Sequence, residues 1–302
     1  MNPKQLKSVA IILGVVLVLW LTAELLGGGR DDVETAFVLP PLQETDVDSI
    51  VFASASDTIA LARSGSGWLV NGYEASPDEV SAFFNALADS SEAELISTSA
   101  LLLARMGVDT AAGTSMKLVN GAEVVAAVVF GKAGRQYDTR YVRRDSSNFV
   151  YLYTGGLSRF VQRGVDDWRN ERMLDIEAAS LGAVSVRRGR ESYTLVQRDS
   201  VWRYSTGAAA DSAAVRRMLD QYSPLDASGF ATEQQADSAD FERPDRSVTM
   251  LSQSGDTLAA LVFDSTAAAF WVQMSPGGTV YRLLQWKVNQ MTPADSTLRE
   301  RG

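Results

Sequence analysis

Three regimes of hydrophobic patterning follow one another along the chain. The first is a nearly unbroken apolar run from Val9 to Leu26, interrupted only by Gly14, Thr22 and Glu24. A helix of that length spans about 27 Å, close to the thickness of a bilayer's hydrocarbon core. The second regime begins at Ile50, where short runs alternate apolar and polar residues between clusters of Gly, Ser, Asn and Asp. That period predicts antiparallel strands joined by tight turns. The third regime is helical spacing, in two windows: Val80, Phe83, Phe84 and Leu87, then Val215, Met218, Leu219 and Tyr222.

The strand and helix patterns occur twice. Ile50, Phe52, Ile59, Leu61 and Trp68 are answered by Val184, Val186, Tyr193, Leu195 and Trp202, each 134 residues later. With the offset then at 135, Val80, Phe84, Leu87, Leu95 and Met106 are answered by Val215, Leu219, Tyr222, Phe230 and Phe241. An internal duplication is the expected architecture.

In the first copy, strands are expected at 49–54, 58–63, 67–71, 115–120, 123–130, 139–144 and 149–153. In the second they are expected at 183–187, 192–198, 201–205, 246–252, 257–263, 270–274 and 279–283. Ser76-Pro77-Asp78 opens one helix, with Ser76 as N-cap and Pro77 in the first turn; Asp211 caps its counterpart over 211–222. Shorter helices are expected at 99–105, 157–163 and 284–291. Asn120-Gly121 and Ser254-Gly255-Asp256 mark hairpin turns.

The fold class expected is α+β: an N-terminal transmembrane helix followed by two tandem homologous α+β repeats built on antiparallel sheets. The division is a cytoplasmic N-terminus 1–7, a transmembrane helix 8–26, a linker 27–45, a first repeat 46–165, an inter-repeat segment 166–181, a second repeat 182–292 and a flexible tail 293–302. Lys4 and Lys7 before the apolar run, with Asp31, Asp32 and Glu34 after it, place the N-terminus in the cytoplasm and the body outside it. A cleaved signal peptide, cut near Gly27 or Gly29, is the alternative; it exports the body as well.

Composition narrows the chemistry. The 302 residues contain no cysteine and no histidine. Disulfides, thiolate nucleophiles, Ser-His-Asp relays and the usual zinc sites are thereby excluded. A net charge of −9 argues against a nucleic-acid partner. Neither Gly65-Ser66-Gly67 nor Gly131-Lys132 completes a phosphate-binding loop motif. Asp46/Asp48 and Asp237/Asp240 lack the spacing of a calcium loop. No catalytic, cofactor-binding or metal-binding residue is assigned, and no cofactor is expected.

Six residues remain as candidates for an interaction. Trp68 and Trp202 occupy equivalent repeat positions, where core packing or an aromatic ligand platform are the two readings. Asp166, Asp167, Trp168 and Arg169 form the best local polar cluster, read as a carboxylate pair or as a capped turn with an ion pair. Arg135, Arg140, Arg143 and Arg144 make the densest basic stretch, expected as a solvated strand edge that discourages aggregation.

The segment Trp168-Arg169-Asn170-Glu171-Arg172-Met173-Leu174 resembles the W/F-R-x-K/R-x-L-L motif of domain-of-unknown-function family 4340. So do the turn Arg63-Ser64-Gly65-Ser66-Gly67-Trp68 and the helix opening Ser76-Pro77-Asp78. The second copy departs from this pattern, with Arg198-Asp199-Ser200 in place of the glycine turn. The resemblance implies one N-terminal transmembrane helix, repetition of the unit over most of residues 46–291, and companionship with ABC transporters of the gliding-motility and polysaccharide type. A transporter permease or related envelope protein is the partner it implies, and it supplies no catalytic residues.

The function expected is therefore a non-enzymatic, membrane-anchored extracytoplasmic interaction or scaffold module. A glycan- or polymer-binding module is the alternative, and a histidine-free hydrolase stands behind both.

Overall fold

The structure, a computed structural model, describes residues 37–89, 91–136 and 138–300. The expected membrane span lies outside the described residues, among which no helix is long and apolar enough to cross a membrane. The chain divides into two compact units, one up to Asn170 and one from Glu171. Each contains one large antiparallel sheet, of nine and seven strands, and the second adds a two-stranded one, so the fold is mixed α+β.

The first unit runs β1 (Ser49–Ala53), β2 (Thr58–Ser64), β3 (Gly67–Val70), β4 (Tyr73–Glu74), α1 (Pro77–Ala88), β5 (Glu92–Ser97), α2 (Leu103–Met106), β6 (Thr114–Asn120), β7 (Glu123–Ala133), β8 (Thr139–Arg144) and β9 (Val150–Thr154). A 3₁₀ turn at Gly156–Arg159 and another at Val165–Trp168 close it. The strand order is β4-β3-β2-β1-β6-β7-β8-β9-β5. Local chemistry explains the elements. The Ser76 hydroxyl accepts from the Glu79 amide at the start of α1, satisfying one of the helix's orphan donors. Val80, Phe83, Phe84, Ala86 and Leu87 then point into the core, meeting the inward residues Ile50, Phe52, Leu61, Met116, Leu118 and Phe130 of the sheet.

The second unit runs β10 (Arg172–Leu174), β11 (Leu181–Arg188), β12 (Glu191–Arg198), β13 (Val201–Tyr204), α3 (Ser212–Leu219), β14 (Leu225–Asp226), α4 (Glu233–Ser238), β15 (Arg246–Ser252), β16 (Thr257–Ser265), β17 (Ala269–Met274), β18 (Val280–Leu284) and α5 (Gln285–Met291). Its large sheet is ordered β13-β12-β11-β15-β16-β17-β18. That is the order β3-β2-β1-β6-β7-β8-β9 of the first unit. Asp211 caps α3 by accepting from Ala213 and Ala214, and Ala214, Val215, Met218 and Leu219 face the core.

Smaller features repeat as well. Leu69 pairs with Glu74 in the first unit, and Arg203 bridges to Ala209 in the second. Ala75 bridges to Arg169, and Ala210 bridges to Arg299. The Ser76 amide donates to the Trp168 carbonyl at 2.8 Å, and the Asp211 amide to the Leu298 carbonyl at 2.8 Å. Trp168 is 0% exposed and Leu298 is 1% exposed. In both units, a buried apolar residue late in the chain returns beside the helix N-cap and fills the end of the core.

That arrangement revises three boundaries. Residues 293–300, expected as a frayed tail, fold back: the Tyr193 hydroxyl donates to the Pro293 carbonyl and that of Tyr204 to the Asp295 carbonyl. Burial pushes the Tyr204 hydroxyl up to about 12, because the low-dielectric surroundings disfavour the phenolate. Residues 166–170 of the expected inter-repeat segment belong to the first unit. The later half of the expected linker belongs to it too, since Phe37 is a core residue and Leu39 and Leu42 pack against that core. The Phe37 ring lies 5.4 Å from that of Tyr151.

Turn chemistry differs between the copies. The β2–β3 turn has Gly65 at φ 61°, whereas the β12–β13 turn holds Asp199 at φ 49° and Ser200 at φ 64°. Two consecutive positive-φ positions fit the right-handed twist of a hairpin, but a side chain there is costly. Ser200→Gly should therefore raise second-unit stability by about 0.5–1 kcal/mol, read as a higher denaturant midpoint at unchanged slope. Leu298→Ala should cost about 2–5 kcal/mol. An unchanged midpoint for Leu298→Ala would mean that the closing segment is dispensable.

Candidate functional site

Five of the six candidate residues lie in the first unit and Trp202 lies in the second. Trp68 sits on β3 and is 4% exposed; its indole Nε1 donates to Glu44 at 2.9 Å and the Arg63 guanidinium lies 4.9 Å above its ring. Trp202, on β13 opposite Gln197, is half-buried and packs against the second core. Asp166, Asp167, Trp168 and Arg169 do meet locally. Trp168 packs against Phe160, Phe52 and Phe83 with centroids 5.4, 5.8 and 5.9 Å apart. Asp167 accepts from the Gly164 amide at 2.7 Å, and Asp166 pairs with Arg169 at 3.0 Å. Arg169 also lies 3.9 Å above the Tyr73 ring. The two carboxylates thus hold a turn and an arginine, which leaves the cluster a clamp between β4 and the closing segment.

The basic stretch differs from its expectation. Strand β8 is not an edge, because it lies between β7 and β9. Arg140 and Arg143 are each 8% exposed. Arg143 donates to the carbonyls of Val108 at 2.6 Å, Arg144 at 3.0 Å and Asp145 at 2.6 Å. Burial lowers its pKa, and Asp145 and Asp109 raise it. Arg140 donates to the Gly131 carbonyl at 2.8 Å. Nearby, the Lys132 ammonium donates to the Arg105 carbonyl at 2.9 Å.

Arg143 and Lys132 fasten one segment. Residues 98–113 connect β5 to β6 across the sheet face opposite α1, where Val108 packs with Val129 and Val150 in a small second core. The approach is close. A Cβ at Gly131 would stand 2.4 Å from the Met106 carbonyl oxygen. Gly131-Lys132 is therefore a backbone-contact pair, with Gly supplying clearance and Lys a carbonyl ligand. A strand-embedded arginine that serves four backbone carbonyls, that of Ser147 at 3.4 Å being the fourth, has no signature in the residue pattern; the crossing of 98–113 supplies the distant one, Val108.

One open concavity of about 640 Å³ lies at the β5 end of the first sheet. Its floor is two cross-strand rows, Glu94–Leu152–Tyr141 and Glu92–Thr154–Thr139. Gly134, Arg135 and Gln136 form one wall. Glu92 and Glu94 stand at its outer side, beside the edge of the sheet, and both are exposed. Sequence pattern did not reveal this place, because β5 alternates polar and apolar residues only over Glu92–Leu95. Among the described residues, no group of three or more acidic side chains is placed to hold a metal ion.

With this geometry in hand, the chain's relationships are plain. It belongs to the family described as a domain of unknown function, DUF4340, whose model matches residues 68–244, more than half of the chain. The match begins at Trp68 in β3 and ends just before β15, so it spans the later part of the first unit and the earlier part of the second. No curated protein and no solved structure matches the chain.

Arg143→Lys tests the role assigned to the buried guanidinium. A lysine cannot serve several carbonyls in one plane, and the orphaned carbonyls stay buried. The variant should lose about 1–3 kcal/mol. It should also expose residues 105–109 to faster amide exchange, while exchange in the second unit stays unchanged. Equal protection of 105–109 in both proteins would refute the assignment.

Proposed function

We propose that this chain is a non-enzymatic, single-pass membrane protein whose extracytoplasmic part serves as an interaction or scaffold module accessory to an ABC-type transport assembly. That part comprises two tandem homologous α+β repeats, and the apolar run from Val9 to Leu26 is its anchor, with the N-terminus in the cytoplasm. The shared strand order of the two sheets supports duplication. Membership in DUF4340 supports the transporter association through the resemblance already described.

One observation carries the interaction role. Each unit leaves large apolar side chains in solvent near its last strand. In the first unit Leu95, Ile96 and Leu101 are 43%, 39% and 91% exposed; in the second Leu284 and Trp286 are 41% and 57% exposed. Isolated exposed leucines are ordinary, but in the second unit Leu284 stands two residues from an exposed tryptophan, a combination that suits a partner surface. A glycan platform on the tryptophan pair draws less support, since Trp68 is a core residue.

The deciding experiment is purification from native membranes in mild detergent through a C-terminal tag. Stoichiometric transporter subunits are expected. They should be lost on deletion of residues 46–300 and depleted by the pair Leu101→Asp and Trp286→Asp. Recovery of the chain alone, under conditions that keep other membrane complexes whole, would overturn the reading.

A further inference from the structure

The four ends of the two large sheets are treated differently. At one end of the first sheet β4 is only two residues long, and β13 at the corresponding end of the second has four. At the other end of the second sheet, β18 is partly covered by residues 228–231. There, Ser228 donates to the Arg282 carbonyl, Arg282 to Gly229, and Ala231 to Val280. Phe230 bridges to Tyr281 in the middle of this contact. The corresponding stretch of the first unit is β5, where Leu95 pairs with Tyr151. It is a six-residue strand, with β9 on one side and no described strand on the other. It contains no lysine and no proline; its register shifts between Leu95 and Ser97, so the straight ladder is Glu92–Leu95, and its charges are the two glutamates.

The side chains of β5 select what could pair there. Ala93 and Leu95 lie on the core side, opposite Tyr153 and Tyr151. Glu92 and Glu94 lie on the other side, exposed, above the concavity floored by Leu152 and Tyr141. A second copy of β5 added antiparallel would set these carboxylates against each other, which is destabilising. The chain's own segment before Phe37 carries Asp31, Asp32 and Glu34, again the wrong charge. A strand with Lys or Arg at alternate positions satisfies both faces. Its cations meet Glu92 and Glu94, their methylene stems cover the concavity, and small apolar residues between them cover Leu95.

We infer that β5 is a docking edge for an extended, basic segment of a partner protein, added to the first sheet as a tenth strand. This rests on reading the chain as an interaction module, and it names the chemistry of the partner's contact. Main-chain hydrogen bonds supply the attachment, and the two glutamates set charge and register.

The test uses the full chain in detergent and a fluorescein-labelled eight-residue peptide of alternating Lys and Val. Two further probes are the same peptide N-methylated on the amides of one edge, and an alternating Glu-Val peptide. Saturable binding of the Lys-Val peptide is expected, with slowed amide exchange confined to residues 92–97. N-methylation should weaken it at least about tenfold, as should the pair Glu92→Lys and Glu94→Lys, whose side chains are exposed and leave the core intact. Equal binding of the normal and N-methylated peptides would reduce the effect to attraction by the chain's net charge and overturn the proposal. So would the absence of binding up to about 1 mM. Transporter recovery that persists without peptide binding would discard this edge and leave the scaffold role standing. Peptide binding without transporter recovery would support the edge and remove the transporter as its setting.

Discussion

The large apolar face of each sheet must be covered, and in each unit the start of the covering helix is tied to the unit's last segment. The backbone amide of the helix N-cap residue, Ser76 or Asp211, donates to the carbonyl of a residue far along the chain, Trp168 or Leu298. That bond joins the start of the covering helix to the last segment of the unit, and the side chain beside it completes the core. Around Trp168 the rings of Phe52, Phe83 and Phe160 assemble; around Leu298 the tyrosines of β12 and β13 donate to the carbonyls of the closing segment. Burial pushes the neighbouring Tyr222 hydroxyl well above its ordinary value, and it donates to the Met291 carbonyl at 2.7 Å. The same constraint is thus met by an aromatic stack in one unit and by a leucine with phenolic hydrogen bonds in the other.

Much of this was legible in the sequence because it rests on period. Strands β8 and β15 have the bounds their alternation predicts, and most others agree within two residues. The helix caps Ser76 and Asp211 were readable as residue types. Two short elements carried signals that pattern reading passed over. Asn71-Gly72, with φ 45° and 87°, turns β3 into β4 in the manner of a two-residue hairpin. Thr232 and Gln235 bond reciprocally at the start of α4, as a capping box should.

Other features were invisible for physical reasons. β5 alternates polar and apolar residues only over Glu92–Leu95 before Ile96 breaks the pattern, a run at the lower limit of a strand signal. The folding-back of residues 293–300 depends on one leucine in a polar sequence, too little for a periodic signal. The arginines of β8 look like surface charge in composition. What buries Arg143 is the crossing of residues 98–113, a long-range contact held by Arg143 itself and by Lys132. Of the candidate site, sequence located the cluster Asp166–Arg169, and its reading as a capped turn with an ion pair is the use to which the fold puts it.

The late position of Trp168 has a consequence for how the first unit comes into being. Phe52 and Phe83 emerge from the ribosome long before the residue that seals them, and the intervening strands cannot shield that end of the core by themselves. If the chain crosses a membrane from its N-terminus onward, the unit travels with its aromatic end open until residue 168 has followed. Contacts between such distant positions also make for slow folding. Assembly of this unit is therefore gated by the arrival of its last few residues, and a chain stalled short of them presents a greasy, unfinished sheet to whatever quality-control machinery is nearby.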